Sequence, residues 1–248
     1  MKELVSIITP TYNSELFIKE TINSILMQSY DNWELLITDD CSTDNTVSLI
    51  EDFMANENRI KLFVLTENSG AAIARNNSIE KASGKYIAFC DSDDLWFPNK
   101  LFTQINFLIM HDLAFTFSGY KICNELGDII GEKSAIETLT YSKILKNNYI
   151  GCLTAIYDVH KLEKIYMPLL RNRQDWALWI IIMKKVRSTK AIMDPLALYR
   201  DRNDSISSNK IKMIKYTWLI YFKVLRFGVV KSMYFTLIYL LKKSIKVI

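Results

Sequence analysis

A mostly parallel β-sheet flanked by helices is the fold class this 248-residue sequence predicts. Apolar runs and amphipathic stretches alternate four times within the first 90 residues, the pattern of repeated strand-helix-strand units. The apolar runs are rich in Val, Ile, Leu and aromatics, whereas the stretches between them carry helical periodicity. Half of the residues are apolar and 23% are charged, so the chain can bury a sizeable core.

The first predicted strand covers residues 4–9 and runs into Pro10-Thr11-Tyr12-Asn13. A helical pattern over 15–28 sets Phe17, Ile18, Ile22, Ile25 and Leu26 near i, i+3/i+4 spacing. A second strand at 33–38 ends in Asp39-Asp40-Cys41-Ser42-Thr43-Asp44, and a helix over 43–56 follows. The third strand, 60–66, leads to Glu67-Asn68-Ser69-Gly70 and a helix over 71–82 that stops before Gly84. The fourth, 86–90, ends in Asp91-Ser92-Asp93-Asp94. Parallel sheets bind ligands beyond the carboxyl ends of their strands. Hydroxyls, an aromatic ring and carboxylates therefore gather at one edge.

Other classes are excluded by what is missing. Only 7 glycines and 4 prolines rule out collagenous and low-complexity chains. Cys41, Cys90, Cys123 and Cys152 are scattered with no C-x-x-C pair, which argues for reduced thiols rather than a zinc site or disulfide framework. Two histidines leave little room for His-based triads. Neither G-x-G-x-x-G nor G-x-x-x-x-G-K-[ST] is present. The N-terminus lacks a signal-peptide pattern, so a chain beginning at Met1 in a cytoplasmic setting is expected.

Asp91-Ser92-Asp93 sets two carboxylates at i and i+2 at a strand end, where they can share a hard divalent cation with a phosphate ligand. Alone, such a motif reads equally as a turn before Leu95-Trp96, and Asp39-Asp40 as part of a helix cap. Their joint placement at neighbouring strand ends is the stronger signal.

Together with Val5-Ser6-Ile7-Ile8-Thr9-Pro10-Thr11-Tyr12-Asn13, Asn68-Ser69-Gly70, Ala74-Arg75-Asn76 and Gln174-Asp175, these motifs resemble the family 2 glycosyltransferases. The resemblance is strong over 1–110, patchier to about 207 and only general beyond. It implies the GT-A fold, a Rossmann-like nucleotide-sugar-binding sheet. Thr9, Pro10, Tyr12 and Asp40 would then line the base and ribose pocket, with Arg75 near the nucleotide. Asp93 would be the principal ligand of Mn²⁺ or Mg²⁺, and Asp91 or Ser92 would contact ribose, the metal or its water. Asp175 would be the catalytic base, with inversion at the anomeric carbon. Trp176 is the candidate for stacking on the acceptor sugar, although pairs such as Trp176 and Trp179, at i and i+3, are more often core.

Two departures stand out. The family usually has Glu-Asp where this chain has Gln174-Asp175, so only the Asp is carried over. It often has a His where this chain has Arg202; an arginine cannot ligate a metal but can clamp a diphosphate, as could Arg200.

The net charge of +4 is uneven: residues 205–248 carry eight lysines, Arg226 and no acid, while the rest holds 22 basic and 27 acidic residues. Two amphipathic helices, 209–226 and 229–247, are expected around Gly228. The uncharged run at 232–241 is ten residues, against about 20 for a bilayer span. Such a tail suits an anionic membrane surface, or it packs on the body and leaves its lysines solvated; the lack of any acid favours the membrane. No nucleic-acid recognition motif is present.

The expected organisation is a catalytic domain over 1–207, with a nucleotide-sugar half (1–110) and an acceptor half (111–207), and a basic tail over 208–248. By resemblance, the chain would transfer a sugar from a UDP-hexose to a lipid-diphosphate-linked glycan in O-antigen, lipopolysaccharide or capsule synthesis. It would do so on the inner face of the cell membrane, where a homodimer is allowed but carries no signal of its own. A soluble glycan or protein acceptor is the nearest rival. A catalytically silent nucleotide-sugar-binding scaffold is the other, and intact Asp93 and Asp175 argue against it.

Overall fold

In the computed structural model, residues 2–202 and 210–245 are described. The elements come in the order β1 (Val5–Thr11), α1 (Ile18–Leu26), β2 (Trp33–Asp39), α2 (Thr46–Met54), β3 (Ile60–Val64), α3 (Ala71–Lys81) and β4 (Tyr86–Phe89). Each boundary lies within three residues of its predicted place. The second half runs β5 (Leu95–Trp96), α4 (Lys100–Met110), β6 (Phe115–Thr116), β7 (Ser118–Cys123), β8 (Ile129–Lys133), β9 (Thr138–Thr140) and α5 (Tyr141–Ile144). A 3-10 turn (Cys152–Thr154), β10 (Ile156–Asp158), α6 (Val159–Leu162), α7 (Gln174–Val186), β11 (Ser188–Lys190) and β12 (Ile192–Arg200) complete the body. The tail is α8 (Lys210–Leu219), a π-helical turn (Ile220–Val224) and α9 (Val229–Ile245).

The main sheet has the order β3-β2-β1-β4-β10-β6. Its first four strands are parallel, and β10 and β6 extend it antiparallel. A smaller sheet, β5-β12-β7-β8, and the β11-β9 ribbon complete the strands.

Period-two alternation divides the core. Val5, Ile7, Leu35, Ile37, Tyr86 and Ala88 face Ile18, Ile22 and Ile25 of α1, Ile50 of α2 and Leu101, Ile105 and Leu108 of α4. Ile8, Leu36, Ile87 and Phe89 face the other layer, with Ile79 of α3 and Trp176, Trp179 and Ile180 of α7. Each such buried side chain contributes about 1.5–3 kcal/mol, so the two layers clamp the sheet. β1 runs past Pro10, where the sequence suggested a stop. Pairing with β4 ends at Ile8, so beyond it β1 has β2 on one side only, and an edge position tolerates a residue without an N–H.

The tail joins the body. Ile220, Tyr221 and Tyr239 are buried in the same cluster as α7, and Tyr221 Oη donates to Leu145 O at 2.6 Å. Packing on the body, which the sequence left as one of two readings, is thus present. The outward face of α9 nevertheless exposes Val229, Val230, Met233, Tyr234, Leu237 and Leu241. None of the described helices is long and apolar enough to cross a membrane. The expected 207/208 boundary, the start of the first tail helix at 209 and Lys246 lie outside the described residues.

Lys100, at the start of α4, is 0% exposed. Its Nζ donates to Gln104 Oε1 at 2.5 Å and sits 3.9 Å from the Trp96 ring centre. Gln104 Nε2 and Trp96 Nε1 in turn donate to Thr154 O and Leu153 O, fixing the 3-10 turn. Burial pushes the Lys100 pKa down from 10.5 to about 7. Above pH 7 the folded chain has released this proton while the unfolded chain still holds it, so stability rises with pH. The expected slope is up to ~1 kcal/mol per pH unit between about pH 7 and pH 7.5, above which unfolded thiols, with a pKa of about 8.5, begin to ionise and oppose it. Urea unfolding across that window checks it, and Lys100→Met should flatten the slope.

Candidate active site

A cavity of about 800 Å³ opens at the carboxyl edge of the main sheet. Tyr12, Asn13, Asp91, Asp93 and Asp94 line it from the ends of β1 and β4, and Arg75 from α3. Tyr120, Lys133 and residues 147–148 and 150–153 line it from the second half, Asp175 from α7, and Arg200 and Arg202 from the end of β12. Met213, Tyr239 and Lys243 close it from the tail.

Each acid of the Asp91–Asp94 turn meets an arginine. Arg75 Nη2 donates to Asp91 Oδ1 at 2.5 Å, and Gln174, with its amide oxygen facing Arg75, accepts from Nη1 at 3.1 Å. Burial works against the Arg75 charge, but Asp91 outweighs it and holds the guanidinium firmly protonated. Arg202 Nη1 donates to Asp93 Oδ2 at 3.3 Å. Arg200 is fully engaged: its backbone N–H reaches Asp94 Oδ1, Nε the Asp93 carbonyl, Nη1 the Glu125 carbonyl and Nη2 Glu20 Oε2. With its side chain 2% exposed, Arg200 is a staple between β12 and the acidic turn rather than a free phosphate clamp, which corrects the expectation for it. Arg202 keeps more room, its side chain being 24% exposed.

Ser92 is also corrected. Its hydroxyl is buried against that of Ser14 at 2.8 Å, and Ser92 is not among the residues lining the cavity.

Asp91 and Asp93 fit a divalent cation. Burial first, and then the neighbouring Asp91 charge, push the Asp93 carboxyl up, the condition that a cation relieves. Among the described residues no three acidic, thiol or imidazole groups converge as a protein-only cage.

The expected base and ribose pocket lies at the β1 and β2 ends. Tyr12 is 47% exposed and lines the cavity. Thr9 and Pro10 are buried within β1, and Thr9 Oγ1 has no hydrogen-bond partner. Asp40 is buried, and its two oxygens accept the backbone N–H groups of Ser69 and Gly70 at 2.7 and 2.8 Å, capping the approach to α3. Gly70 there has φ +93°, a conformation that favours glycine. Each Asp40 oxygen keeps a second lone pair.

Asp175 lies in the first turn of α7, with Asn148 Nδ2 3.4 Å from Oδ2. Burial raises its pKa above the ordinary carboxylate range, against the Trp176 backbone N–H and the Arg75 charge. A half-buried carboxylate of raised basicity at a helix N-terminus can accept a proton.

Trp176 is corrected as a stacking platform. It is 1% exposed, its Nε1 donates to Ile144 O at 2.9 Å, and Tyr239, Tyr221 and Arg173 crowd its ring. Trp176 borders the cavity but presents almost no ring surface to it. Its i+3 partner Trp179 is core as well, packed on Phe89 and Phe115. Motif reading missed Tyr120, Asn148, Asn172, Arg173, Tyr239 and Lys243. The polar run Arg171-Asn172-Arg173 before Asp175 was the one available signal for part of this set.

Comparison with known proteins agrees with this geometry. The profile described as glycosyl transferase family 2 matches residues 6–161. A Bacillus subtilis (strain 168) protein, TuaG, described as a proposed teichuronic acid biosynthesis glycosyltransferase, is 44% identical over 93% of this chain and 92% of its own length. An Escherichia coli protein named UDP-Glc:alpha-D-GlcNAc-diphosphoundecaprenol beta-1,3-glucosyltransferase, WfgD, is 42% identical over 87% of this chain and 84% of its own. Among solved structures, S. aureus TarS 1-349 in complex with UDP-GlcNAc superimposes with a TM-score of 0.72 at 23% identity, covering 96% of this chain and 72% of that one.

The Arg200 staple leads to a direct test. Arg200→Ala removes three side-chain hydrogen bonds. It should lower stability by about 2–3 kcal/mol in urea unfolding, and Arg200→Lys should recover little, since an ammonium cannot span the same fork.

Proposed function

Because the chain belongs to glycosyl transferase family 2 and has the GT-A fold, we propose that it transfers glucose from UDP-glucose to a hydroxyl of GlcNAc carried on a lipid diphosphate. The reaction would be one step in building a bacterial surface polysaccharide. The observation that carries the reading is the presence in one cavity of the Asp91/Asp93 pair and the half-buried carboxylate of Asp175. WfgD, by its name, catalyses this reaction, and TuaG is assigned to another surface polymer.

In this reading, Tyr12 and Asp40 bind the uracil nucleoside, Asp40 accepting the imide N–H on a remaining lone pair. Thr9 and Pro10 form the floor beneath. Asp93, with Asp91 beside it, would hold Mn²⁺ or Mg²⁺, and a cation there would neutralise charge on the departing diphosphate. Arg202 turns from Asp93 to the diphosphate, and Arg75 keeps Asp91 in place. Asp175 takes the proton of the acceptor hydroxyl as its oxygen bonds to the anomeric carbon. The bond from that carbon to the UDP oxygen breaks, and its electron pair leaves with UDP. A single displacement inverts an α-linked donor to a β-linked product.

We also place the enzyme peripherally on the cytoplasmic membrane face. The support is the exposed apolar face of α9, with Lys231 and Lys242 on the same helix, in a tail without any acid.

Asp93→Ala should abolish metal-dependent UDP-glucose hydrolysis and transfer. Asp175→Asn should reduce transfer by about 10²–10⁴-fold while UDP still binds. Protonated Asp175 cannot accept a proton, so kcat/KM should fall as pH drops through a pKa above the ordinary aspartate value of about 3.9. Transfer unaffected by either substitution refutes the assignment. Met233→Glu with Leu237→Glu should weaken co-sedimentation with phosphatidylglycerol vesicles about tenfold or more, since two apolar anchors become like charges of the surface. Equal partitioning would mean that the tail only packs.

A further inference from the structure

Apart from Lys133 on β8, the cations lining the cavity fall into two groups. Arg75, Arg200 and Arg202 each pair with a carboxylate, Asp91, Glu20 and Asp93. Across the cavity, Arg171, Arg173 and Lys243 line the wall formed by the approach to α7 and by the tail. Among the described residues no carboxylate lies within ion-pair distance of these three.

Arg173 is held for a purpose other than pairing. Its backbone is left-handed, φ +61°, a conformation that a side-chain-bearing residue keeps only when its surroundings impose it. Its guanidinium is centred 4.6 Å from the Tyr239 ring and 5.2 Å from the Trp176 ring, and Nη2 donates to Tyr239 Oη at 2.5 Å. Stacking and a neutral hydroxyl position the charge without neutralising it. Asn172, between the two arginines, is 7% exposed, lines the cavity, and has a buried Oδ1 with no hydrogen-bond partner. A buried acceptor without a donor is a site for an incoming hydroxyl.

We propose that this wall is the acceptor's anionic subsite: Arg171, Arg173 and Lys243 bind the diphosphate joining the acceptor sugar to its lipid, and Asn172 Oδ1 accepts a hydrogen bond from that sugar. The assignment rests on the lipid-diphosphate acceptor proposed above. It separates two diphosphates by charge, the donor's on the Asp93 and Arg202 side and the acceptor's on the tail side. The wall also suits the acceptor's origin. Lys243 lies with Tyr239 on the cavity side of α9, and the exposed Leu237 and Leu241 lie on another side of the same helix, so one element carries both the cationic wall and the apolar face.

The test uses the full chain saturated with UDP and two soluble probes: an undecyl α-GlcNAc diphosphate ester, and undecyl α-GlcNAc without the diphosphate. Isothermal titration should show the diphosphate probe binding at least tenfold tighter. The Arg171→Ala/Lys243→Ala double variant should lose that preference, and Asn172→Leu should weaken both probes together. Both cations lie on the cavity wall with no ion pair, and a thermal melt verifies folding. Independently, the wild-type preference should shrink as NaCl rises from about 0.05 to 0.5 M.

Equal binding of the two probes by wild type overturns the subsite, as does an undiminished preference in the double variant. If UDP affinity falls as much as probe affinity, the cations serve the donor and the assignment is wrong. A diphosphate preference without glucose transfer leaves the subsite standing and refutes the proposed reaction. Transfer with equal KM for both probes does the reverse.

Discussion

Every residue of β1, β2 and β4 is buried, because helices cover both faces of the sheet they build. A strand buried on two sides can satisfy its backbone through the ladder, but each polar side chain there needs a partner of its own. Glu34 illustrates the demand: it accepts from Ser6, Ser83 and Lys61 to remain ionised inside the fold. The carboxyl edge, where the ladder stops and water enters, is where several acids can be carried together. Asp39, Asp40, Asp91, Asp93 and Asp94 all sit there. The position of the chemistry follows from that constraint more than from any single motif.

The acids do not stand free at that edge. Asp39 holds Ser42, Asp40 holds the loop before α3, and Asp94 receives the Arg200 N–H. Asp91 and Asp93 remain on cavity-facing arginines. Exposure separates the arginines that resemble one another in sequence. Arg200, at 2%, has every nitrogen engaged and ties the smaller sheet to the main one, whereas Arg202, at 24%, has room to exchange partners. A like-charged cluster of this kind is stable without ligand only because guanidinium groups are interleaved with it. It is poised for a cation and a diphosphate for the same reason.

The tail has two faces with different duties. Its inner face buries Tyr221 and Tyr239 against α5 and α7, and through Arg173 and Tyr239 it shapes the cavity wall. Its outer face is apolar and lies on a helix bearing several lysines. Packing on the body and binding a membrane seemed alternatives when only the helical pattern was known. A helix wide enough for two stripes can serve both, since burial on one side leaves the other untouched.

Much was legible in the sequence because it depends on local periodicity. The alternation of strands and helices through β4, the acidic strand ends and the family motifs are contiguous stretches whose chemistry can be read without coordinates. The identities of Asp91, Asp93, Asp175 and Arg202 as cavity residues belong to that class. Side-chain direction and partnership do not, because they are fixed by residues far away in the chain. Ser92 turns to Ser14, Arg200 reaches Glu20, and Trp176 is sealed by Tyr221 and Tyr239, contacts spanning tens of residues or more. The proposed acceptor wall is assembled from the loop before α7 and from the tail, pieces with no motif in common. Sequence alone determined which groups reach the sheet edge; tertiary packing decided which of them are left facing the cavity, since only burial and competing partners settle where a charge or a ring can point.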